Sequence, residues 1–137
     1  MEILFVCKGN VGRSQMAEIL FRKINKKDKV TSAGIKVNEK EGEKLKDIPL
    51  AEPVIIFMKK EGFDASENFR KQITKKMVDK ADKVIIMAEK DIWPDFLINN
   101  PKVVFWDIED PKGMSDEGYK NIILYLKKLI EEIQKKL

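Results

Sequence analysis

Cys7 and Arg13 stand six positions apart in the run Val6-Cys7-Lys8-Gly9-Asn10-Val11-Gly12-Arg13-Ser14, and the residue types between them suit the capture of an anion. A tight loop that enters a helix can turn its backbone N–H groups toward one point, making a concave nest that the helix dipole reinforces. Gly9 and Gly12 carry no Cβ to oppose that curvature, and Asn10 is among the few other residues that tolerate left-handed backbone. Arg13 closes the loop with a planar guanidinium able to place two parallel hydrogen bonds on phosphate oxygens, which lysine does not match. Lys8, Gly9, Asn10, Val11, Gly12, Arg13 and Ser14 are therefore the expected phosphate-binding residues. The same dipoles favour thiolate over thiol at the base of the nest, so Cys7 is the expected nucleophile. Ser14 is placed to donate its hydroxyl to the sulfur, stabilising it as nucleophile and as leaving group. Against this stands a buried structural cysteine with an unrelated arginine. The chain has only three arginines, Arg13, Arg22 and Arg70, so one falls six residues after a given cysteine by chance about one time in fifty.

The elements around this loop follow from periodicity. Ile3 to Val6 is apolar on both faces, the pattern of a central parallel strand, and it ends at Cys7. From Ser14 to about Lys26, Ala17, Leu20, Phe21 and Ile24 recur at helical spacing. A second strand over Val30 to Ala33 closes at Gly34, and the charged stretch from Lys36 to Asp47 reads as an exposed connection without a motif. Pro53 suits a first helical turn, with a helix over Val54 to Lys60 and Gly62 as its stop. Thr74 suits the cap of a short helix to about Lys80, followed by strands over Val84 to Ala88 and Val103 to Trp106. Ser115 would cap a long amphipathic helix with Ile122, Ile123, Leu126, Leu129, Ile130 and Ile133 on one stripe, and Lys135 and Lys136 at its negative end. Strands alternating with helices imply an α/β fold, an open four-stranded parallel sheet with helices on both faces and the phosphate loop after the first strand. Such sheets bind ligands at the carboxyl ends of their strands, where Cys7 falls.

Composition bounds the setting. A length of 137 residues predicts one domain over residues 1–137, with a core of its own. The 27 basic and 23 acidic residues are interleaved, so no block marks a nucleic-acid partner. A single cysteine excludes an internal disulfide, and the absence of histidine removes the usual zinc sites together with Cys-His and Ser-His-Asp mechanisms. The N-terminal Met-Glu-Ile-Leu-Phe-Val carries an acid where a signal peptide has positive charge, and its apolar run is too short for a membrane span. The expectation is a cytoplasmic protein without a membrane partner, cofactor or metal.

At Val6 to Ser14 the chain resembles the low-molecular-weight protein tyrosine phosphatase family, which shares its fold with the thioredoxin-coupled arsenate reductases. The run matches that family's Cys-x5-Arg-Ser loop after an opening strand. Ser32-Ala33-Gly34, Gly62-Phe63-Asp64 with Arg70, and Ala81-Asp82 leading to Met87 extend the likeness. Asp110-Pro111 resembles the family's Asp-Pro. Taken alone, Asp110-Pro111 is a turn signal, and Asp107 and Glu109 compete for any carboxylate role. The resemblance implies that Asp110 protonates the leaving oxygen and then activates the water that hydrolyses a cysteinyl-phosphate. It implies a metal-independent hydrolase acting on a phosphotyrosine protein or a small aryl phosphate, with inorganic phosphate as product.

Two positions depart from the family pattern. Gly12 stands where many members carry a second loop cysteine, and Lys112-Gly113-Met114 follows Asp-Pro where members acting on phosphotyrosine carry aromatic residues. Trp93, Trp106 and Tyr119 are the aromatic candidates for a cleft wall. Two other functions stay open at this point. One is arsenate reduction, which with one cysteine needs an external thiol to resolve the adduct. The other is a non-catalytic phosphate-binding module.

Overall fold

Ile3, Leu4, Phe5 and Val6 have no solvent exposure, which a strand achieves only when neighbours flank it and helices cover both its faces. The computed structural model describes all 137 residues and places this strand, β1 (Glu2–Cys7), inside a four-stranded sheet. The order is β2-β1-β3-β4 with β2 Lys29–Gly34, β3 Lys83–Ile86 and β4 Val103–Phe105, and every pairing is parallel. Cys7 pairs with Gly34 at the carboxyl ends of central strand β1 and edge strand β2.

Alternation along β1 sends its side chains to two separate cores. Ile3, Phe5 and Cys7 join the larger core with α1 (Arg13–Ile24), α2 (Glu52–Lys60) and α4 (Asp116–Gln134). Leu4 and Val6 join the smaller one, which α3 (Lys75–Lys80) covers through Val78. The α/β sheet with helices on both faces is thus as expected. Cys7 lies on the face that α1 covers, so the loop after it needs only a short turn to enter that helix.

Caps and stops fall where side-chain chemistry puts them. Thr74 Oγ1 accepts from Met77 N at 3.2 Å, and Ser115 Oγ from Gly118 N at 3.3 Å. Gly62 takes the left-handed conformation, φ +94°, that ends α2. Differences from expectation have local causes. Helix α1 stops at Ile24 rather than near Lys26 because Asn25 Oδ1 accepts from the N–H groups of both Lys27 and Asp28, each at 2.9 Å, turning the chain out of the helix. Strand β3 stops at Ile86 rather than Ala88, and the Met87 carbonyl faces Arg13 instead of another strand. Leu129 is only partly buried on the α4 stripe.

The largest difference is the stretch from Lys36 to Asp47. It contains two short 3-10 turns, Asn38–Lys40 and Leu45–Asp47, and Leu45 is fully buried. Its backbone meets residues 66–70: Gly42 N donates to Arg70 O and Leu45 N to Asn68 O, both at 2.8 Å. These long-range partners lie far away in the chain and leave no periodic trace in either segment.

Candidate active site

The loop from Lys8 to Gly12 joins β1 to α1, and its backbone donors are unspent. The N–H groups of Lys8, Gly9, Val11, Gly12, Arg13 and Ser14 find no acceptor within the protein, and Gly12, the N-cap of α1, has no side chain to satisfy the first turn. Asn10 is the exception, its N–H pointing at Cys7 Sγ at 3.3 Å. Cys7 is 2% exposed and lies at the base of this curl, on the wall of a cavity of about 540 Å³. That size falls in the range of about 300–1,000 Å³ usual for small-ligand sites.

Asn10 organises the loop from beneath. It is fully buried, with φ +53°, and its amide orientation is settled by the backbone N–H of Lys71, which donates to Oδ1 at 2.8 Å. Nδ2 therefore donates, to Ser14 Oγ at 2.8 Å and to Ser32 Oγ at 3.0 Å. With its oxygen engaged by Asn10, Ser14 has its hydroxyl hydrogen free for Cys7 Sγ, 3.0 Å away. Gln15, also fully buried, ties the loop to the 66–70 segment through Asn10 and the Phe69 carbonyl, the latter at 3.0 Å. Gly34 lets strand β2 approach this closely. A Cβ there would come within 2.8 Å of Asn10 N and 2.9 Å of the Gly9 carbonyl carbon.

Arg13 is 4% exposed and clamped from one side only. Its Nη1 donates to the carbonyls of Met87, at the end of β3, and Ile108, at 3.0 Å, in the loop leading to Asp110. Nε and Nη2 have no protein acceptor, and neither is sealed from the cavity. Two parallel donors thus remain for a ligand on a guanidinium that the protein holds still.

All three neighbouring carboxylates are exposed, but only Asp110 lines the cavity; Asp107 and Glu109 do not. Asp110 Oδ1 accepts from Lys112 N at 3.0 Å, and its other oxygen has no protein partner. Pro111 packs toward the loop, where a Cβ on Gly12 would touch its Cγ at 3.4 Å.

Tyr119 is the one aromatic candidate on the cavity wall. Its ring stacks on Phe57 with centroids 5.6 Å apart, and burial, together with the nearby Asp110 charge, raises its phenol above the usual value. Trp106 instead packs into the core against Phe5, and Trp93 donates its indole N–H to Ala88 O. Ile48, Leu50 and Val54 add apolar lining.

Sequence reading missed Asn10's role as a hub and the support from Gln15 and Ser32, and it named Arg70 only as part of the family likeness, without a role. Arg70 Nε donates to Gly9 O and Nη1 pairs with Glu43 Oε1, both at 2.9 Å. The signals in the sequence were Ser32-Ala33-Gly34 at a strand end and Arg70 after Gly62-Phe63-Asp64. No three His, Cys, Asp or Glu side chains come together as a metal-binding set.

Comparison with known proteins decides the lineage of this arrangement. Residues 2–137 match the model of the family described as low molecular weight phosphotyrosine protein phosphatase. The chain belongs to that family. A low molecular weight protein tyrosine phosphatase from T. tengcongensis superposes at TM-score 0.83 with 30% identity, covering 100% of this chain and 99% of that one. The C7S mutant of the arginine phosphatase YwlE, with a phosphorylated active-site serine, superposes at TM-score 0.79 with 29% identity over 100% of this chain and 95% of its own. A probable low molecular weight protein-tyrosine-phosphatase, EpsP of Ralstonia solanacearum, is 35% identical over 86 residues, 63% of this chain. The matched stretch spans about half, 54%, of that curated relative's length. Family membership accounts for the fold and for the loop after β1.

Proposed function

We propose that the protein hydrolyses aryl phosphomonoesters, phosphotyrosine in a protein or a small aryl phosphate, through a cysteinyl-phosphate on Cys7. The observation that carries this reading is Cys7 Sγ at the base of a loop whose backbone N–H groups have no other acceptor. Those donors, with Nε and Nη2 of Arg13, bind the three non-bridging oxygens and strengthen as charge shifts onto them in the transition state. The thiolate attacks phosphorus, the P–O ester bond breaks, and Asp110 gives its proton to the departing oxygen. Water then attacks phosphorus, giving its proton to the Asp110 carboxylate, and the S–P bond breaks to release inorganic phosphate and the thiolate, to which Ser14 donates a hydrogen bond. No step requires a metal or cofactor. The phosphorylated serine in the YwlE mutant supports phosphoryl transfer to the residue at the base of the loop.

Relatives named for tyrosine and for arginine phosphatase activity are similarly close, so the apolar lining carries the choice of substrate. Val11, Ile48, Leu50 and Tyr119 suit an aromatic ring, whereas the lysines around the mouth disfavour a cationic substrate side chain. A cytoplasmic location accords with the single free cysteine, and no helix is long and apolar enough to cross a membrane.

The test is hydrolysis of phosphotyrosine, phosphoarginine and p-nitrophenyl phosphate in chelator, with rapid acid quench to trap phosphate on Cys7. Aryl ester turnover with burst-phase labelling of Cys7 is expected. Turnover retained in Cys7→Ala ends the reading, and phosphoarginine as the better substrate moves it to the other branch.

A further inference from the structure

The cavity holds more positive charge than one phosphate uses. Beyond the loop N–H groups and Arg13, its lining includes Lys36, Lys40 and Arg70. Lys36 and Lys40 are exposed, and neither takes part in any of the protein's ion pairs. Arg70 is 8% exposed; its Nε and Nη1 are spent on Gly9 O and Glu43, while Nη2 has no protein acceptor and is not sealed from the cavity. A guanidinium edge nine-tenths buried and free on its cavity side is built to meet an anion.

Backbone contacts locate these charges relative to the cradle. Lys36 N donates to Lys8 O, and Gly42 N to Arg70 O, both at 2.8 Å, so residues 36–43 run along the outer edge of the phosphate loop. Side chains from that edge reach what protrudes from the cradle rather than the phosphate held over Cys7. Three carboxylates share this lining: Asp110 is the acid of the proposed reaction, Glu43 is taken by Arg70, and Asp47 remains against the two lysines and the free guanidinium edge.

We propose that Arg70, Lys36 and Lys40 form a second anion position beside the cradle, which selects phosphopeptides carrying Glu or Asp next to the phosphorylated residue. This rests on the phosphomonoesterase reading and adds to it the charge of the preferred substrate. Because the lysines are exposed, each contributes modestly, and the preference shrinks as salt is raised.

The experiment compares two phosphotyrosine peptides that differ only in Glu against Gln beside the phosphotyrosine. For the wild-type protein at low ionic strength kcat/KM should favour the Glu peptide by about fivefold. In the K36Q/K40Q protein that preference should collapse toward unity, while kcat/KM for p-nitrophenyl phosphate stays within about twofold of wild type. Absence of a preference in the wild type, or an equal loss on both peptides and p-nitrophenyl phosphate, overturns the proposal; the latter would show that the lysines attract only the phosphate dianion. Fluorescence anisotropy with labelled peptides and Cys7→Ala protein, with and without K36Q/K40Q, makes the same comparison without turnover. If wild-type protein does not hydrolyse p-nitrophenyl phosphate, the phosphatase reading falls, and the binding arm still decides whether the second anion position exists.

Discussion

The phosphate loop and the collar that grips it are built in opposite ways. From Cys7 to Ser14 the nucleophile, backbone donors, guanidinium and hydroxyl come from eight consecutive residues, so their chemistry is written locally. The collar assembles Ser32 and Gly34 of β2, Glu43 of the following segment, and Asn68 to Lys71, through hydrogen bonds that span tens of residues. Apart from the free edge of Arg70, its members hold the loop or one another rather than the ligand. Changing the loop should therefore remove chemistry while sparing the fold, and changing the collar should cost stability along with loop geometry.

The largest effect expected is for Cys7→Ala, a loss of turnover on the order of 10⁴-fold or more with little change in melting temperature. A large drop in thermal stability in that variant would break the comparison at its strongest point. Arg13→Lys keeps the charge but not the fork, and should lose about 10²–10³-fold in kcat/KM. Near-normal kinetics would assign Arg13 to bracing Met87 and Ile108 alone.

Asp110→Ala should cost about 10²–10⁴-fold in kcat/KM on phenyl phosphate, whose leaving oxygen needs the proton, and far less on p-nitrophenyl phosphate. Asp107→Ala and Glu109→Ala should leave both rates near wild type, as neither lines the cavity. Equal losses on the two esters with Asp110→Ala would make it a shaper of the loop.

Where the collar grips the loop, Asn10→Ala removes the shared donor of Ser14 and Ser32 and the acceptor for Lys71 N in a left-handed position. We expect about 2–3 kcal/mol of lost stability by denaturant titration together with a raised KM, because the loop loses its template. Gly34→Ala should act in the same direction through the close approach of β2. Lost activity at full stability in both variants would erase the distinction between loop and collar.

The smallest effect lies away from the site and serves as a control. Burial pushes the Glu61 carboxyl up, but hydrogen bonds from Lys127 and Lys23 outweigh it and hold it below the ordinary value. Glu61 follows α2, Lys23 lies on α1 and Lys127 on α4, so these pairs link three helices. A lowered folded-state value means stabilisation that is present above the unfolded glutamate's titration and fades as pH falls through the folded one. Glu61→Gln should thus cost about 0.5–1 kcal/mol at neutral pH and progressively less in acid, with kcat/KM unchanged. A cost that does not fade in acid would assign Glu61 a packing role instead.

Sequence alone determined the sheet, since β1 must be apolar on both faces, and it determined the loop, because glycines, thiol and guanidinium act within one turn of backbone. It also determined the caps at Thr74 and Ser115, where a hydroxyl serves an N–H three residues on. Residue pattern left the carboxylate open among Asp107, Glu109 and Asp110, which share one short stretch, and only the family resemblance chose Asp110. Tertiary structure decided that Asp110 and Tyr119 line the cavity while Trp106 fills the core. It also turned the stretch from Lys36 to Asp47, read as bare connection, into one wall of the site. The physical reason is one of range. Backbone curvature and capping depend on neighbours in the chain, whereas Lys71 N at Asn10, the Met87 and Ile108 carbonyls at Arg13 and Gly9 O at Arg70 are backbone groups, which look alike at every residue until the fold brings particular ones near.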